Sequence, residues 1–361
     1  MRILHAVVSD AFAGVERHVA RLARAQSAAG LDVHVAGGAT DAMVRELDGS
    51  RATHASAGSI SELVRDLRQH RDLADVVHVH MTAAEIAATL ALAGRPRGRP
   101  AVVSTRHFAL TRGHGVTGPV VAAVARHRVD AQIAISRYVA AGIDGSSAVV
   151  PAGLDAAPPG PAARERGRTV LLAQRLQPEK RSDVAIRAFA QSGLAAEGWT
   201  LDVAGDGAER ERLERLASSL GILPGTSVRF LGHRADVAEL MRSAGMLVAP
   251  CPVEGLGLSV LEAMAAGLPV VASAAGGHLE LLDGVGRACL APAGEADATG
   301  DALAVLGADP GLRDAVAARA LTRQRQRFTL AAQASATTDV YRRVLRAART
   351  PRTRSRPAVR A

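Results

Sequence analysis

Two acidic residues flank the start of an apolar segment in the second half of the sequence. Glu254 lies in a glycine-bearing loop after a short apolar run, and Glu262 follows it with seven residues between them. The residues from Leu258 to Ala266 predict a helix in which Glu262 is the only charge. The backbone N–H groups at Gly257 and Leu258 would open this helix and can face an anion. A lone acid in an apolar helix is usually paired or functional. The pattern therefore predicts an anion-binding helix start with a functional carboxylate behind it.

A pair of basic residues follows the first strand-like run of the second half. Arg175 and Lys180 are five positions apart and precede a predicted helix over 182–191. Lys180 is the only lysine of the chain, because every other one of the 44 Lys and Arg residues is arginine. Arginine and lysine are not interchangeable where a site needs a compact point charge. The sequence therefore favours a functional role for Lys180.

The elements that must position these residues alternate between strands and helices along nearly the whole chain. Short runs rich in Val, Ile and Leu predict strands at 3–8, 32–35, 75–79, 101–104, 132–135, 148–150, 169–172, 199–204, 227–231, 246–249 and 268–272. Stretches of helical periodicity between them include 14–29, 82–93, 182–191, 208–220, 237–243 and 258–266. Continuous apolar strands that alternate with helices are typical of a parallel sheet covered on both faces.

A proline-rich segment interrupts this alternation and divides the chain. Residues 158–168 begin with Pro158-Pro159-Gly160-Pro161, whose composition indicates a linker. We therefore predict an α/β fold with two doubly wound, Rossmann-like domains at 1–157 and 169–328. A C-terminal helix at 329–348, able to cross back to the first domain, and a basic disordered tail at 349–361 complete the predicted organisation.

The segment around the two acids resembles a known family. Glu254 and Glu262 form an E-x7-E motif, and the second acid continues as Glu-Ala-Met-Ala-Ala-Gly-Leu-Pro-Val-Val. Both features resemble the retaining glycosyltransferases of family 4, also called group 1, although Leu256 stands where that family usually has Phe. The resemblance implies the GT-B fold, in which two Rossmann-like domains face a central cleft. The first domain would lie on the acceptor side, and the second would bind a nucleotide sugar.

The resemblance also implies roles for residues of the second domain. Glu262 is expected to bind the ribose hydroxyls of the donor, and Glu254 to contact the transferred sugar. Arg175 and Lys180 match an Arg–Lys pair on the donor diphosphate. Gly205 belongs to a Gly-x-Gly element expected near the nucleoside. Two further residues are expected to present amides to the sugar or the diphosphate: Gly257 and Leu258.

The first domain carries three weaker signals. Gly14 opens a predicted helix where the family commonly has two glycines close to the phosphate, and it is equally compatible with an ordinary strand-to-helix turn. His107 follows a predicted strand and resembles the family's histidine near the transferred sugar, so it is the candidate catalytic residue of this domain. His78 and His80 alternate along another predicted strand, where His80 can line the cleft or pack in the core.

The reaction implied by the resemblance is transfer of a hexose-type sugar from a nucleotide-diphosphate sugar to a hydroxyl acceptor, with retention of anomeric configuration. Acceptors in the family are lipids, small metabolites and glycans. Many transferases stabilise the departing diphosphate with a metal ion held by an Asp-x-Asp motif, and this chain contains no such motif. Arg175, Lys180 and a helix N-terminus can supply that positive charge instead. We therefore expect no metal and no cofactor beyond the sugar donor.

Two alternatives to a transferase stay open at this point. A nucleotide-sugar epimerase or hydrolase on the same fold would release free sugar without an acceptor, although a hydrolase needs two carboxyls about 5–9.5 Å apart. At about 1.5 Å per helical residue, Glu254 and Glu262 are expected on the order of 10 Å apart. A two-lobed, non-catalytic sugar-binding protein would instead be stabilised by a free sugar without any donor.

The net charge of +9 comes from the end of the chain. Eight arginines lie between Arg342 and Arg360, with no acid after Asp339, so the preceding part is nearly neutral. Aromatic residues make up only 2% of the chain, and nucleic-acid binding is therefore not expected. The tail is a candidate for peripheral contact with the inner membrane face. No signal peptide or long apolar segment is recognised, which favours a cytoplasmic location.

Overall fold

A computed structural model describes residues 1–95, 100–113, 116, 118–155, 158–222 and 225–349. The chain divides into two compact units. The first contains the described residues of Met1–Ala134, of Ile143–Val150 and from Ala334 to Arg349, and the second contains those of Ile135–Gly142 and Pro151–Gln333. Residues 350–361, which form nearly all of the predicted basic tail, lie outside the described residues.

The first unit is built on a sheet whose seven described strands are all parallel. The strands in chain order are β1 Arg2–Val7, β2 Asp32–Ala36, β3 Thr53–Ala55, β4 Val76–His80, β5 Ala101–Arg106, β6 Ala131–Ala134 and β7 Ala148–Val149. Their order across the sheet is β3-β2-β1-β4-β5-β6-β7. The helices that follow these strands are α1 Gly14–Ala28, α2 Thr40–Leu47, α3 Ile60–His70, α4 Met81–Ala91, α5 Gly118–Arg126 and α6 Arg137–Gly142, the last of which belongs to the second unit.

Alternate residues of the central strands point to opposite faces of the first sheet. Both faces are covered by other elements, so both sets of side chains are buried. On one face, Leu4 and Val77 pack with apolar residues of α3 and α4. On the other face, Ile3 and Val76 pack with Tyr341. This covering of both faces explains why these strands appear in the sequence as nearly continuous apolar runs.

The second unit is built on a sheet whose six described strands are also all parallel, in the order β10-β9-β8-β11-β12-β13. The strands are β8 Thr169–Ala173, β9 Thr200–Ala204, β10 Val228–Gly232, β11 Met246–Ala249, β12 Val270–Ser273 and β13 Leu290–Ala291. The helices are α7 Ser182–Gln191, α8 Arg210–Ser219, α9 Val237–Ser243, α10 Leu258–Ala265, α11 His278–Leu282, α12 Ala296–Ala308, α13 Pro310–Arg327 and α14 Leu330–Arg349. Most of α14 clusters with the first unit.

The prediction of two doubly wound, parallel α/β sheets is confirmed. Residues 158–168, predicted as a linker, cluster with the second unit. Arg166 is buried there and donates hydrogen bonds to the carbonyl oxygens of Met241, Ala266 and Gly267. A single arginine thus satisfies carbonyl groups that the ends of α9 and α10 leave open.

None of the helices in the described residues combines the length and the apolar character needed to cross a membrane.

Candidate functional site

The sheet of the second unit reverses its direction of winding between β8 and β11. From β8 the chain continues through α7 to β9 on one side, whereas from β11 it continues through α10 to β12 on the other side. The loops after these two neighbouring strands therefore diverge, and in open α/β sheets ligands bind in the crevice that forms there. The first loop carries Arg175 and Lys180, and the second carries Glu254 and Gly257.

Lys180 and Glu254 form an ion pair at this switch point. Lys180 Nζ lies 2.6 Å from Glu254 Oε2, and the two side chains are 14% and 22% exposed. Burial acts to raise the pKa of the Glu254 carboxyl, but the adjacent Lys180 ammonium, together with smaller contributions from His278 and Cys251, holds that pKa below its usual range. Glu254 is therefore ionised at neutral pH beside the only lysine of the chain.

The side chain of Gln174, in the loop after β8, holds the backbone of Lys180 in place. Gln174 Nε2 donates to the carbonyl oxygen of Lys180 at 2.8 Å and to Ser182 Oγ at 3.0 Å. Arg175 lies apart from this pair, since its side chain is 61% exposed and lies 3.7 Å from the carboxylate of Glu179. The structure thus brings Lys180 and Glu254 together and leaves Arg175 at the surface of the same loop.

The N-terminus of α10 adjoins the Glu254 loop. Gly257 precedes the helix with φ of 103°, and a Cβ at this position would lie 2.7 Å from Cδ2 of the His278 ring, so only glycine fits without a shift. No side chain in the described part of the chain caps this end of the helix. Ser259 Oγ donates to the carbonyl oxygen of Ala173 at 2.7 Å, which fixes the first turn of α10 against the end of β8. The amides at Leu258 and its neighbours are thus available to an anion.

Several supporting residues of this site were not singled out from the sequence. His278 is buried behind Gly257, its Nδ1 lies 3.2 Å from Ser273 Oγ, and burial lowers the pKa of its ring to about 4. Ser273 Oγ donates to the carbonyl oxygen of Cys251 at 2.6 Å. Ser136 Oγ donates to the carbonyl oxygen of Gly255 at 2.5 Å. Only the contacts made in the folded unit identify His278 and Ser273, because no local motif does.

Glu262 and Gly205 are placed by the same unit. Glu262 is half-buried on α10, five residues after Gly257, and its contact with a nucleoside stays a prediction. Gly205 begins the loop after β9, and its N–H donates to Gly232 O at 2.8 Å. A Cβ on Gly205 would overlap the carbonyl oxygen of Gln174, so glycine lets the loops after β8 and β9 pack closely.

The two candidate residues of the first unit lie in different surroundings. Gly14 is the exposed first residue of α1, where the helix is capped by Glu16, whose Oε2 accepts the N–H of Ala13 at 2.9 Å. His107 follows β5 and is only 6% exposed. Burial, together with the nearby Arg106 guanidinium, lowers the pKa of the His107 ring to about 3. His107 is thus a neutral imidazole across the physiological range.

The chain after His107 is held by a buried ionic network that the sequence analysis missed. Arg112 donates from Nε to Glu85 Oε2 at 2.6 Å and from Nη2 to Glu85 Oε1 at 2.5 Å, and both side chains are completely buried. Arg112 also donates to Gln132 and to Asp144, each at 2.8 Å. Such a bidentate, fully satisfied pair fixes geometry more than it adds stability. It anchors the segment behind His107 to α4.

Known structures share the fold of this chain. The chain superposes on a crystal structure of Anabaena Alr3699/HepE in complex with UDP-glucose with a TM-score of 0.78 and 22% identity, over 94% of this chain and all of that chain. The fold is that of the GT-B glycosyltransferases.

The family is identified by two sequence models that cover the two halves of the chain. The model described as Glycosyltransferase Family 4 matches residues 12–157, and the model described as Glycosyl transferases group 1 matches residues 156–323. The protein belongs to this glycosyltransferase family, as the E-x7-E motif indicated.

Curated relatives match parts of the chain. A D-inositol 3-phosphate glycosyltransferase from Kineococcus radiotolerans is 34% identical over 226 residues, which are 55% of this chain and 52% of the relative. A protein of the same name from Salinispora arenicola is 42% identical over 124 residues, which are 31% of this chain and 27% of the relative. The aligned parts of these two relatives thus range from about a quarter to about half of their own length.

Proposed function

We propose that the protein is a retaining, metal-independent glycosyltransferase that moves a hexose-type sugar from a nucleotide-diphosphate sugar to a hydroxyl acceptor. The observation that carries the proposal is the pairing of Lys180 with Glu254 at the switch point of the second sheet. Relatives named as D-inositol 3-phosphate glycosyltransferases support glycosyl transfer, and a fold neighbour crystallised with UDP-glucose supports a nucleotide-sugar donor.

The proposed donor site is assembled from charges and dipoles that point at one crevice. Lys180 and the first amides of α10 meet the diphosphate, and Arg175 closes over it from the exposed side of its loop. Glu254 contacts the sugar, while Glu262 accepts hydrogen bonds from the ribose hydroxyls. Fixed positive charge stabilises the diphosphate as it departs, and this charge requires no reorganisation during the reaction.

The proposed reaction needs no protein nucleophile. The acceptor oxygen forms a bond to the anomeric carbon on the face that the diphosphate leaves, and the bond from that carbon to the diphosphate oxygen breaks. The acceptor's proton passes to an oxygen of the leaving diphosphate. His107, as a neutral imidazole, contributes a hydrogen bond to a hydroxyl of the transferred sugar and no charge.

The role of Glu262 is tested by the substitution Glu262→Gln. We expect the dissociation constant of the donor to rise about tenfold, because a charge-assisted pair of hydrogen bonds to the ribose becomes neutral. Isothermal titration calorimetry, with UDP-, GDP-, ADP- and TDP-sugars compared in the wild type first, measures the change. Glu239→Gln, on the exposed side of α9, is the matched control. Unchanged donor affinity in Glu262→Gln would remove the ribose role.

Metal independence is tested with a chelator. We expect transferase activity to be the same within twofold before and after exhaustive EDTA treatment, since Lys180 and the α10 amides supply the positive charge. Initial rates with the donor selected by calorimetry provide the measurement. An activity that EDTA abolishes and only a divalent cation restores would overturn this part of the proposal.

The acceptor and the location of the protein are also proposals. The acceptor presents a hydroxyl group on a lipid, a small metabolite or a glycan. The protein is proposed to act in the cytoplasm and to contact the inner membrane face peripherally through its basic tail. The positive charge of that tail supports this location.

A further inference from the structure

Five histidines lie together in the core of the first unit, where apolar residues are expected. His5 is on β1, His18 on α1, His78 and His80 on β4, and His107 follows β5, and all five are at most 7% exposed. Burial lowers the pKa of each ring, to about 4 for His5 and about 3 for His107. The cluster is therefore neutral, and its hydrogen bonds depend on which ring nitrogen carries the proton.

A continuous path of hydrogen bonds runs from His107 into the core. His107 Nε2 lies 3.2 Å from His80 Nδ1, and His80 Nε2 lies 3.2 Å from His5 Nδ1. His5 Nε2 lies 2.8 Å from the side-chain oxygen of Gln26. Gln26 Nε2 then donates to the hydroxyl of Tyr341 at 3.3 Å.

Beyond Tyr341 the path continues, and each group again donates to the next one. The Tyr341 hydroxyl lies 2.6 Å from His78 Nδ1, and His78 Nε2 lies 2.6 Å from Thr105 Oγ1. Tyr341 is fully buried on α14, and burial raises the pKa of its phenol, so the hydroxyl keeps its proton. It accepts from Gln26 and donates to His78.

The orientation of the Gln26 amide sets the tautomer of every ring on the path. Its oxygen can only accept, so His5 carries its proton on Nε2 and accepts at Nδ1. His80 must then donate from Nε2 and accept at Nδ1. His107 must donate from Nε2, which leaves a lone pair on Nδ1. No hydrogen bond to that Nδ1 is formed within the described residues.

We propose that Gln26 and Tyr341 are positioning residues that fix His107 as the Nε2–H tautomer, so that its Nδ1 accepts a hydrogen bond from a substrate hydroxyl. The proposal rests on the role of His107 given above. It assigns a function to α14, whose Tyr341 is 234 positions after His107 in the chain. Neither residue contacts the substrate, and both act through His5 and His80.

The proposal is tested first without activity. Histidine labelled with ¹⁵N distinguishes the two neutral tautomers of each ring by NMR, with assignment by single His→Gln variants. We expect the Nε2–H tautomer for His107 in the wild type and a mixture of tautomers in Tyr341→Phe and in Gln26→Leu. Tyr138→Phe removes the hydroxyl of the only other tyrosine and is expected to leave the His107 signals unchanged.

Kinetics supply the second measurement. We expect kcat to fall about tenfold in Tyr341→Phe with the KM for the donor unchanged, because only the orientation of one hydrogen bond is lost. Tyr138→Phe is expected to keep the wild-type kcat. If Tyr341→Phe does not fold, Gln26→Leu provides the same comparison.

Three results would overturn the proposal. The first is an Nδ1–H tautomer of His107 in the wild type, and the second is an unchanged tautomer in both Tyr341→Phe and Gln26→Leu. The third is stoichiometric uptake of Zn²⁺ by His18, His80 and His107, whose ligand atoms lie within 4.8 Å of one another, because coordination would replace these hydrogen bonds. A protein with the expected tautomers but no transfer activity would instead refute only the proposed function.

Discussion

Replacing Lys180 by methionine is expected to lower kcat/KM about 100-fold to 1,000-fold. Methionine keeps much of the length of the side chain but removes the ammonium that lies 2.6 Å from Glu254 at the switch point of the second sheet. Loss of one preorganised group that stabilises charge in a transition state has an effect of this size. The loss arises in the chemical step, because the negative charge on the diphosphate grows as the sugar leaves. Initial rates over a range of donor concentrations separate kcat from KM.

Two matched variants show whether charge or packing is responsible. Lys180→Arg keeps the charge but not the compact geometry, so we expect it to retain intermediate activity. Arg187→Met removes a cation from the exposed side of α7 and should retain wild-type activity. Because Glu254 loses its cation in Lys180→Met, the free energy of unfolding should also fall by about 1–3 kcal/mol. Rates are therefore compared for folded protein. Equal losses in Lys180→Met and Arg187→Met would exclude a specific role.

Local patterns were sufficient for most elements of both sheets. The strand at Met246–Ala249 and the helix at Ser182–Gln191 have the predicted bounds, because a buried parallel strand and an amphipathic helix each repeat with their own period. The edge strands Thr53–Ala55 and Leu290–Ala291 were not predicted. They contain three and two residues, whereas β7, which also contains two, lies within the longer apolar run at 148–150.

The contacts that shape the candidate site depend on topology, which local patterns do not contain. Lys180 and Glu254 are 74 positions apart, and they meet because β8 and β11 are neighbours in the second sheet. The resemblance to family 4 assigned both residues to the donor, but it did not indicate that they form a pair. His278 was missed because its role is to fill the space beside Gly257, and that space exists only in the folded unit.

The histidine cluster shows the same limit. The alternation of His78 and His80 along one strand was visible in the sequence and was compatible with either packing or a cleft. The register of the sheet places His5 opposite His78, and α14 brings Tyr341 within 2.6 Å of His78 Nδ1. Both contacts are long-range, so the cluster could not be recognised from a single segment.

The cluster leads to a strong expectation for stability in acid. The pKa of each of the five rings is lowered in the folded first unit, whereas an unfolded histidine has a pKa of about 6.5. Below pH 6.5 the unfolded state therefore binds protons that the folded state does not bind. The free energy of unfolding must fall as the pH decreases, down to the lowered pKa values.

The size of this effect is comparable to the whole stability of a domain. Each ring contributes up to about 1.4 kcal/mol per pH unit between pH 6.5 and its folded pKa, and a domain is usually stable by only about 5–15 kcal/mol. We therefore expect the first unit to lose much of its stability as the pH falls below 6.5. The lowered pKa of Glu254 acts in the same direction, but only at lower pH, where that carboxylate becomes protonated.

The two units can be followed separately in this experiment. Trp199 is the only tryptophan and is buried in the second unit, so its fluorescence reports that unit, whereas far-UV circular dichroism reports both. We expect part of the dichroism signal to be lost at a higher pH than the Trp199 signal.

In urea titrations between pH 5 and 6.5, His80→Gln should reduce the pH slope of the free energy of unfolding by about the contribution of one ring. His233→Gln, which removes an exposed histidine of the second unit, is the matched control. The slope is compared rather than the stability itself, so a destabilised variant remains informative. A free energy of unfolding that stays constant over this range would show that the rings bind protons equally in the folded and unfolded states, and the tautomer path from His107 to Tyr341 would then be wrong as well.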